Sequence, residues 1–147
     1  MALKKRVRLS VKLVPVNWPN VLQLARLLLM TGQVFKILPQ EIWHTAIAEG
    51  VVPLHGFDAD DGFVHLSASK QLHETLIVHF YGQDNLVVLV FEADDLGVNL
   101  RWEAGRGGRK FPHYYGVLDI GQVRAKFDVS ADGDAFALPQ ALTRRIA

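Results

Sequence analysis

Four short clusters hold most of the side chains in this sequence that could do chemistry. Each combines aromatic residues with a histidine, a serine or a glutamate near the end of a predicted element. Buried histidine and glutamate are costly unless they are paired, and leucine or valine would pack more cheaply. A satisfied core position is the alternative for any single histidine, but together the clusters predict one shared pocket with aromatic walls. The clusters are GFVHLS (62–67), HFYG (79–82), LRWE (100–103) and FPHYYG (111–116).

The segment HETLIVH (73–79) looks like a zinc-protease motif but has the wrong spacing. That motif places its histidines four residues apart, on one face of a helix. His73 and His79 are six residues apart, so their rings point about 120° apart on a helix. We therefore expect no shared metal, with His73 solvated and His79 near the edge of the core.

The segment GRGG (105–108) has the glycine content of a phosphate-binding loop. Such loops work because a helix N-terminus follows and offers its free N–H groups. Here the next residues do not begin a helix, so the sequence favours a mobile surface loop. Its Arg106, Arg109 and Lys110 could still meet a ligand phosphate by charge alone.

Three imidazoles and a carboxylate would together suit zinc. No two of the candidates have a recognised ligand spacing, so metal-dependent hydrolysis is kept only as a third alternative, and no metal ligand is assigned. The candidates are His65, His79, His113 and Glu103.

A strand and a helix are predicted before the first cluster. Alternation over 34–38 predicts the strand, and Pro39 suits the first turn of a helix, where its missing N–H costs nothing. Apolar residues recur at helical spacing until Gly50, which ends the helix. A brief extended segment (51–54) and a polar turn, HGFDADDG (55–62), follow.

The first cluster itself predicts a strand that leads into a helix. We expect the strand over 63–66, with Ser67 as the N-cap of a helix from Ala68 to about Tyr81 that stops at Gly82. Its buried stripe is predicted to be Leu72, Leu76 and Phe80. His65 and Ser67 are two apart, so in an extended chain they share one face.

The second half contains strands without regular helices between them. LVVLVFE (86–92) predicts a central strand covered on both faces. After a turn over 94–97, extended segments are expected over 98–103, 111–118 and 123–129, and the last of these should have one face buried. Residues 130–147 are predicted to form a loop and a loosely attached tail. The pattern disfavours a doubly wound parallel sheet. It predicts an α+β fold with a mixed, mainly antiparallel sheet and two principal helices.

Composition narrows the class of protein. The 147 residues, half of them hydrophobic, suffice for one domain with a core. The absence of cysteine favours a reducing compartment, so we expect the cytoplasm. Arg26 interrupts the longest apolar run, so no membrane span is predicted. The oligomeric state stays open.

Charge divides the chain into unlike parts. Residues 1–29 contain six basic and no acidic residues, whereas 30–147 carry a formal charge of −5, ten basic against fifteen acidic residues. An acidic body is a poor nucleic-acid binder, and a small-molecule ligand fits better. We expect a basic N-terminal extension (1–29), with Met30 as the alternative true start, one domain over 30–130, and a C-terminal tail over 131–147.

The order of the four clusters resembles a bacterial family known only as domain of unknown function 952. The resemblance covers roughly 34–129, and FPHYYG with LRWE makes it fairly specific. That family in turn looks like a distant relative of the ADP-ribosyltransferase fold. This second resemblance implies an ADP-ribosyltransferase-like architecture and NAD as a substrate, with no resident cofactor.

The resemblance also implies roles for individual residues. His65 would hydrogen-bond a ribose hydroxyl of NAD, Ser67 would hold the amide or a nearby polar group, and Tyr81 would stack on the nicotinamide. The reaction would cleave the nicotinamide–ribose bond through an oxocarbenium-like transition state that a carboxylate stabilises. Trp102 and Tyr115 complete the predicted ligand-binding set.

The sequence departs from that fold on its late strand. Active enzymes commonly have a glutamate there, whereas the strand beginning at Phe111 supplies His113 and Tyr115, and the nearest glutamate is Glu103. Glu103 and His113 are therefore the candidate catalytic residues. Two functions stay open: a nucleotide-binding domain with transferase or NAD glycohydrolase activity, and a non-catalytic module that binds a ligand or a protein.

Overall fold

The first half of the described chain alternates strands with helices. The computed structural model describes Val21 and residues 32–147, so the predicted extension over 1–29 lies outside the described residues except for Val21, and Met30 lies outside them too. The elements are β1 (Gln33–Pro39), α1 (Gln40–Glu49), β2 (Val51–Val52), α2 (Phe57–Asp61), β3 (Val64–His65), β4 (Ser67–Ala68) and α3 (Leu72–Phe80).

The second half is mainly strands, joined by short 3₁₀ turns. Its last two elements show that the predicted loose tail is wrong, because the chain after Ser130 forms a β-hairpin and a helix. The elements are β5 (Leu86–Glu92), α4 (Ala93–Leu96), β6 (Leu100–Ala104), β7 (Lys110–Tyr114), β8 (Leu118–Asp119), β9 (Ala125–Asp132), β10 (Ala135–Ala137) and α5 (Gln140–Ile146).

All strand pairs in the described chain are antiparallel, so the predicted α+β class with a mainly antiparallel sheet is confirmed. The largest sheet has the order β10-β9-β5-β1-β4, a second has β3-β7-β6, and β2 pairs with β8. The chain runs directly from β3 into β4, and the N–H of Leu66 donates to the carbonyl of Pro112 at 3.0 Å. This link joins the two larger sheets beside the first cluster.

The central strand β5 is buried on both faces, as its uninterrupted apolar sequence predicts. Val87, Leu89 and Phe91 pack into one core, and Leu86, Val88 and Val90 into another. The second core also contains the predicted stripe residues Leu72 and Leu76, together with Phe136 and Leu142 from the C-terminal segment. Leu142 is 0% exposed, so α5 is part of the packed structure.

Two expectations near the first cluster fail. The predicted polar turn contains the short helix α2, which begins after Gly56 and ends at Gly62 in the left-handed conformation (φ 77°). Five residues are too few for a helical period to be visible in the sequence. Ser67 is not an N-cap, because it lies in β4 paired with Phe35, and a 3₁₀ turn (Ser69–Gln71) precedes α3.

Candidate functional site

A buried carboxylate organises the site. Asp58, on α2, is 2% exposed, and its Oδ2 lies 2.5 Å from the Nζ of Lys36 on β1. Its Oδ1 accepts the backbone N–H of His65 at 2.9 Å and lies 2.8 Å from the His65 ring Nδ1. Burial, the largest influence, raises the pKa of Asp58, but the contacts from His65 and Lys36 together hold that pKa below its usual 3.8. Asp58 therefore stays ionised beneath His65.

The other ring nitrogen of His65 also faces a carboxylate. Nε2 lies 3.1 Å from Oδ2 of Asp61, three residues after Asp58 and therefore on the same side of α2. The Asp61 side chain is half exposed, whereas Asp58 is buried. Asp58 is thus the buried partner of His65, and Asp61 is its half-exposed partner.

His113 has its own carboxylate partner. Its Nδ1 lies 3.3 Å from Oε1 of Glu103 on the neighbouring strand. Burial, followed by the charge of His65, lowers the pKa of His113 below its usual 6.5, although Glu103 opposes the shift. The Tyr115 hydroxyl lowers the pKa of Glu103, and in turn Glu103 raises the pKa of Tyr115. His113 is therefore neutral and Glu103 ionised near neutral pH.

Strand register brings the two histidines together. His65 on β3 pairs directly with His113 on β7, and their ring centroids are 5.2 Å apart. Phe63 packs against both rings and against Tyr115, with centroid distances of 4.6, 4.5 and 5.0 Å. Arg101 lies over the Tyr115 ring at 4.5 Å. An aromatic cluster thus holds two carboxylate-paired imidazoles side by side.

Side chains alternate between the two faces of β6, so Trp102 and Glu103, the predicted site residues of LRWE, point in opposite directions. Glu103 pairs with Phe111 in the register and lies on the same face as His113. Trp102 pairs with Pro112 and points the opposite way, where it packs against the core containing Leu100 and Tyr114. Trp102 is therefore not brought to the histidines.

A cleft of ≈ 620 Å³ lies beside these residues. Its wall is mostly apolar, and its polar part includes the buried Lys36 and Asp58, four histidines, Ser67, Thr75 and Arg106. Such a mixture of apolar walls and a few convergent polar groups is typical of small-molecule sites. The four histidines are His55, His65, His79 and His113.

The remaining predicted site residues lie in different positions relative to the cleft. Ser67 lines the cleft, and its hydroxyl donates to Oγ1 of Thr75 at 3.0 Å. Tyr81 is exposed and donates a hydrogen bond to Asp134 at 2.8 Å, so its ring does not line the cleft. Glu103 contacts His113, Tyr115 packs against Phe63, and neither residue lines the cleft.

Sequence reasoning missed the residues that anchor His65. Lys36 had a signal, because it is a lone charge within the apolar strand VFKILP, and 8% exposure shows that its charge is buried. Asp58 had only a weak signal as one of three acids in DADD (58–61). Its burial depends on α2 folding back onto β1, which no local pattern reveals.

Neither a phosphate-binding loop nor a metal site is found where the sequence raised these alternatives, within the described residues. GRGG forms a 3₁₀ turn (Arg106–Gly108) followed by β7, without the helix that a phosphate-binding loop requires. Among the described residues, no group of three or more histidine, aspartate or glutamate side chains is arranged to hold a metal ion. In the same part of the chain, no helix is long and apolar enough to cross a membrane.

The fold and cleft define a class of protein: a small antiparallel α+β domain with carboxylate-paired histidines beside an apolar cleft. The chain belongs to the family of proteins of unknown function DUF952, whose model matches residues 37–126. It is similar to the X-ray structure of protein CC0527 from Caulobacter crescentus, with 42% sequence identity, a TM-score of 0.71, and coverage of 76% of this chain and 98% of that chain. A solution NMR structure of CC0527 gives 42% identity and a TM-score of 0.65, covering 76% of this chain and 95% of that one. No curated protein matches the chain.

Proposed function

We propose that this domain binds NAD or a related nucleotide in the cleft and that its architecture is of the ADP-ribosyltransferase-like type. The observation that carries the proposal is the pair of carboxylate-held imidazoles, His65 and His113, 5.2 Å apart beside a cleft of ≈ 620 Å³. Cavities of several hundred Å³ accept ligands of cofactor size. The strand position of His65 agrees with the ribose-binding histidine that the family resemblance implies.

Asp58 gives His65 a defined role in this proposal. Carboxylate oxygens only accept, so Asp58 beside Nδ1 and Asp61 beside Nε2 make both ring nitrogens donors, and Nε2 donates a hydrogen bond to the oxygen of a ribose hydroxyl. The ligand hydroxyl takes the position that Asp61 now occupies at 3.1 Å. Because Asp58 is fixed by Lys36, His65 is oriented before the ligand arrives.

The proposed reaction cleaves the bond between the nicotinamide nitrogen and ribose C1. The bonding electron pair leaves with nicotinamide, and the ribose passes through an oxocarbenium-like state. Glu103 orients His113 and places negative charge beside it, and neutral His113 accepts the proton of the water or hydroxyl that adds to C1. No residue of the proposed mechanism lies on α5 or β10.

Calorimetry with NAD, ADP-ribose and nicotinamide tests binding. We expect NAD to bind the wild type, His65→Ala to weaken that affinity by about tenfold through the lost hydrogen bond, and His73→Ala, an exposed histidine away from the cleft, to leave it unchanged. An absence of heat at millimolar NAD would end the proposal.

The second candidate is a non-catalytic binding module. It is favoured by two features: β7 has His113 where active enzymes of the implied fold have a glutamate, and Tyr81 bonds Asp134 instead of lining the cleft. Incubation with NAD followed by chromatography separates the candidates. Release of nicotinamide that His113→Ala abolishes supports catalysis, whereas binding without release supports the module.

A further inference from the structure

We propose that Arg106 forms an oxyanion subsite in the cleft that receives a phosphate group of the ligand. This inference rests on the proposed function for the identity of the ligand, but the subsite itself is argued from the geometry around the guanidinium. Arg106 lies on the turn between β6 and β7 and lines the same cleft as His65 and His113.

The contacts of Arg106 leave one edge of its guanidinium without a hydrogen-bond partner. Nη1 lies 2.9 Å from Nε2 of His79. Nε and Nη2 are shielded from solvent and have no hydrogen-bond partner within the described part of the chain. These two nitrogens form the side-on fork that matches two oxygens of a phosphate or carboxylate.

Glu74 does not fill this edge. Its two carboxylate oxygens accept hydrogen bonds from Nη2 of Arg109 at 2.8 and 2.7 Å. The nearest approach of Glu74 to Arg106 is 3.5 Å, between Oε1 and Nη2, which is an ion pair without a hydrogen bond. Arg109 therefore satisfies the carboxylate, and the positive charge of Arg106 is only partly compensated.

His79 contributes to the subsite as a fixed neutral acceptor. An arginine is always protonated, so the 2.9 Å contact requires Nε2 of His79 to accept and its proton to sit on Nδ1. Burial, the charge of Arg106 and the charge of His65 all lower the pKa of His79, in that order of size. His79 thus holds the guanidinium in place without adding a competing charge.

The turn is shaped to keep Arg106 against the cleft. A Cβ on Gly105 would lie 2.7 Å from the Phe111 ring, so only glycine allows this close approach. Arg106 packs over the same ring at 5.6 Å. The Arg106 side chain is 35% exposed and lines the cleft.

We assign a phosphate to this subsite, and not a carboxylate, because the cleft is the proposed nucleotide site. AMP and adenosine differ by one phosphate and are therefore the first probes. We expect AMP to bind wild-type protein about tenfold more tightly than adenosine, because its phosphate adds one bidentate charged contact with Arg106. Arg106→Gln should abolish that difference, Arg106→Lys should retain it only in part because lysine lacks the fork, and Lys110→Gln, at an exposed basic residue that does not line the cleft, should retain it in full.

Inorganic pyrophosphate gives a measurement that does not depend on a nucleoside. We expect it to shift the Nε–H resonance of Arg106 in ¹⁵N NMR spectra, and succinate not to. A shift by succinate but not pyrophosphate would overturn the phosphate assignment.

The outcomes separate the two proposals. A pyrophosphate shift without any nucleotide binding would sustain the subsite and reject the proposed function. Equal affinities for AMP and adenosine, or equal losses in Arg106→Gln and Lys110→Gln, would overturn the subsite while nucleotide binding stands. Circular dichroism of each variant confirms that the comparison is made on folded protein.

Discussion

One oxygen of Asp58 contacts His65 twice, once through the backbone N–H at 2.9 Å and once through the ring Nδ1 at 2.8 Å. The second oxygen of the same carboxylate pairs with Lys36. A buried charge is tolerated when it is paired and hydrogen-bonded. This short chain of contacts therefore fixes the orientation of His65 and also ties α2 to β1 and β3.

The first prediction concerns the stability contributed by Asp58. Asp58→Asn leaves Lys36 buried and without its ion-pair partner, and breaking such a pair typically costs about 3–5 kcal/mol. Urea unfolding at pH 7 should show this loss. Asp60→Asn, an exposed position on the same helix, serves as the matched control and should change the free energy of unfolding by less than about 0.5 kcal/mol. Equal effects of the two variants would contradict the role of the buried pair.

The second prediction is the pH dependence of that contribution. The pKa of Asp58 is lowered in the folded state because its contacts with His65 and Lys36 outweigh burial. The unfolded chain therefore binds a proton more readily, so the stability contribution is complete above pH 3.8 and is lost as pH falls through the lower folded-state pKa. The difference in unfolding free energy between wild type and Asp58→Asn should shrink below pH 3.8. A difference that stays constant there would refute the assignment.

The third prediction concerns the titration of His113. Burial and the nearby charge of His65 lower its pKa below 6.5. Proton NMR should find the midpoint of its ring below that value, and His65→Gln, which removes the charge, should raise it. As pH falls, the unfolded chain takes up this proton before the folded chain does. The contribution of His113 to the free energy of unfolding is therefore present above pH 6.5 and is lost as pH falls toward the folded-state pKa. A midpoint unaffected by His65→Gln would show that the two rings are not coupled.

The fourth prediction tests the C-terminal segment. Leu142 is 0% exposed and packs in the core with Leu72, Leu76 and Val129, so Leu142→Ala should destabilise the domain by about 2–5 kcal/mol. Arg144→Ala, exposed on the same helix, is the control and should have little effect. Thermal and urea unfolding measure both. A loss of less than about 1 kcal/mol in Leu142→Ala would restore the loosely attached tail that the sequence suggested.

Local sequence patterns were sufficient to predict the secondary-structure elements that are long and strongly apolar. LVVLVFE predicted a doubly buried strand, and β5 lies at the centre of the largest sheet. The helix ending at Gly50 was also predictable, because glycine adopts the left-handed C-cap (φ 80°) at low cost. Each of these features depends on residues that are neighbours in sequence.

The short and paired elements were not predictable in the same way. Ser67 has the chemistry of an N-cap, but pairing with Phe35 of β1 makes it part of a strand. Phe136 and Leu142 are ordinary apolar residues in a polar segment, and their burial depends on β10 pairing with β9. Contacts between distant segments overrode the local preference in both places.

The sequence by itself determined the α+β class and the central strand, and it identified His65 and His113 as candidate site residues. Only the tertiary structure decided which groups surround them. It paired Asp58 with both His65 and Lys36, placed Trp102 on the opposite face, and turned Tyr81 away from the cleft. The reason is physical: a side chain's type shows what chemistry it can do, whereas strand register and burial decide which charges it meets.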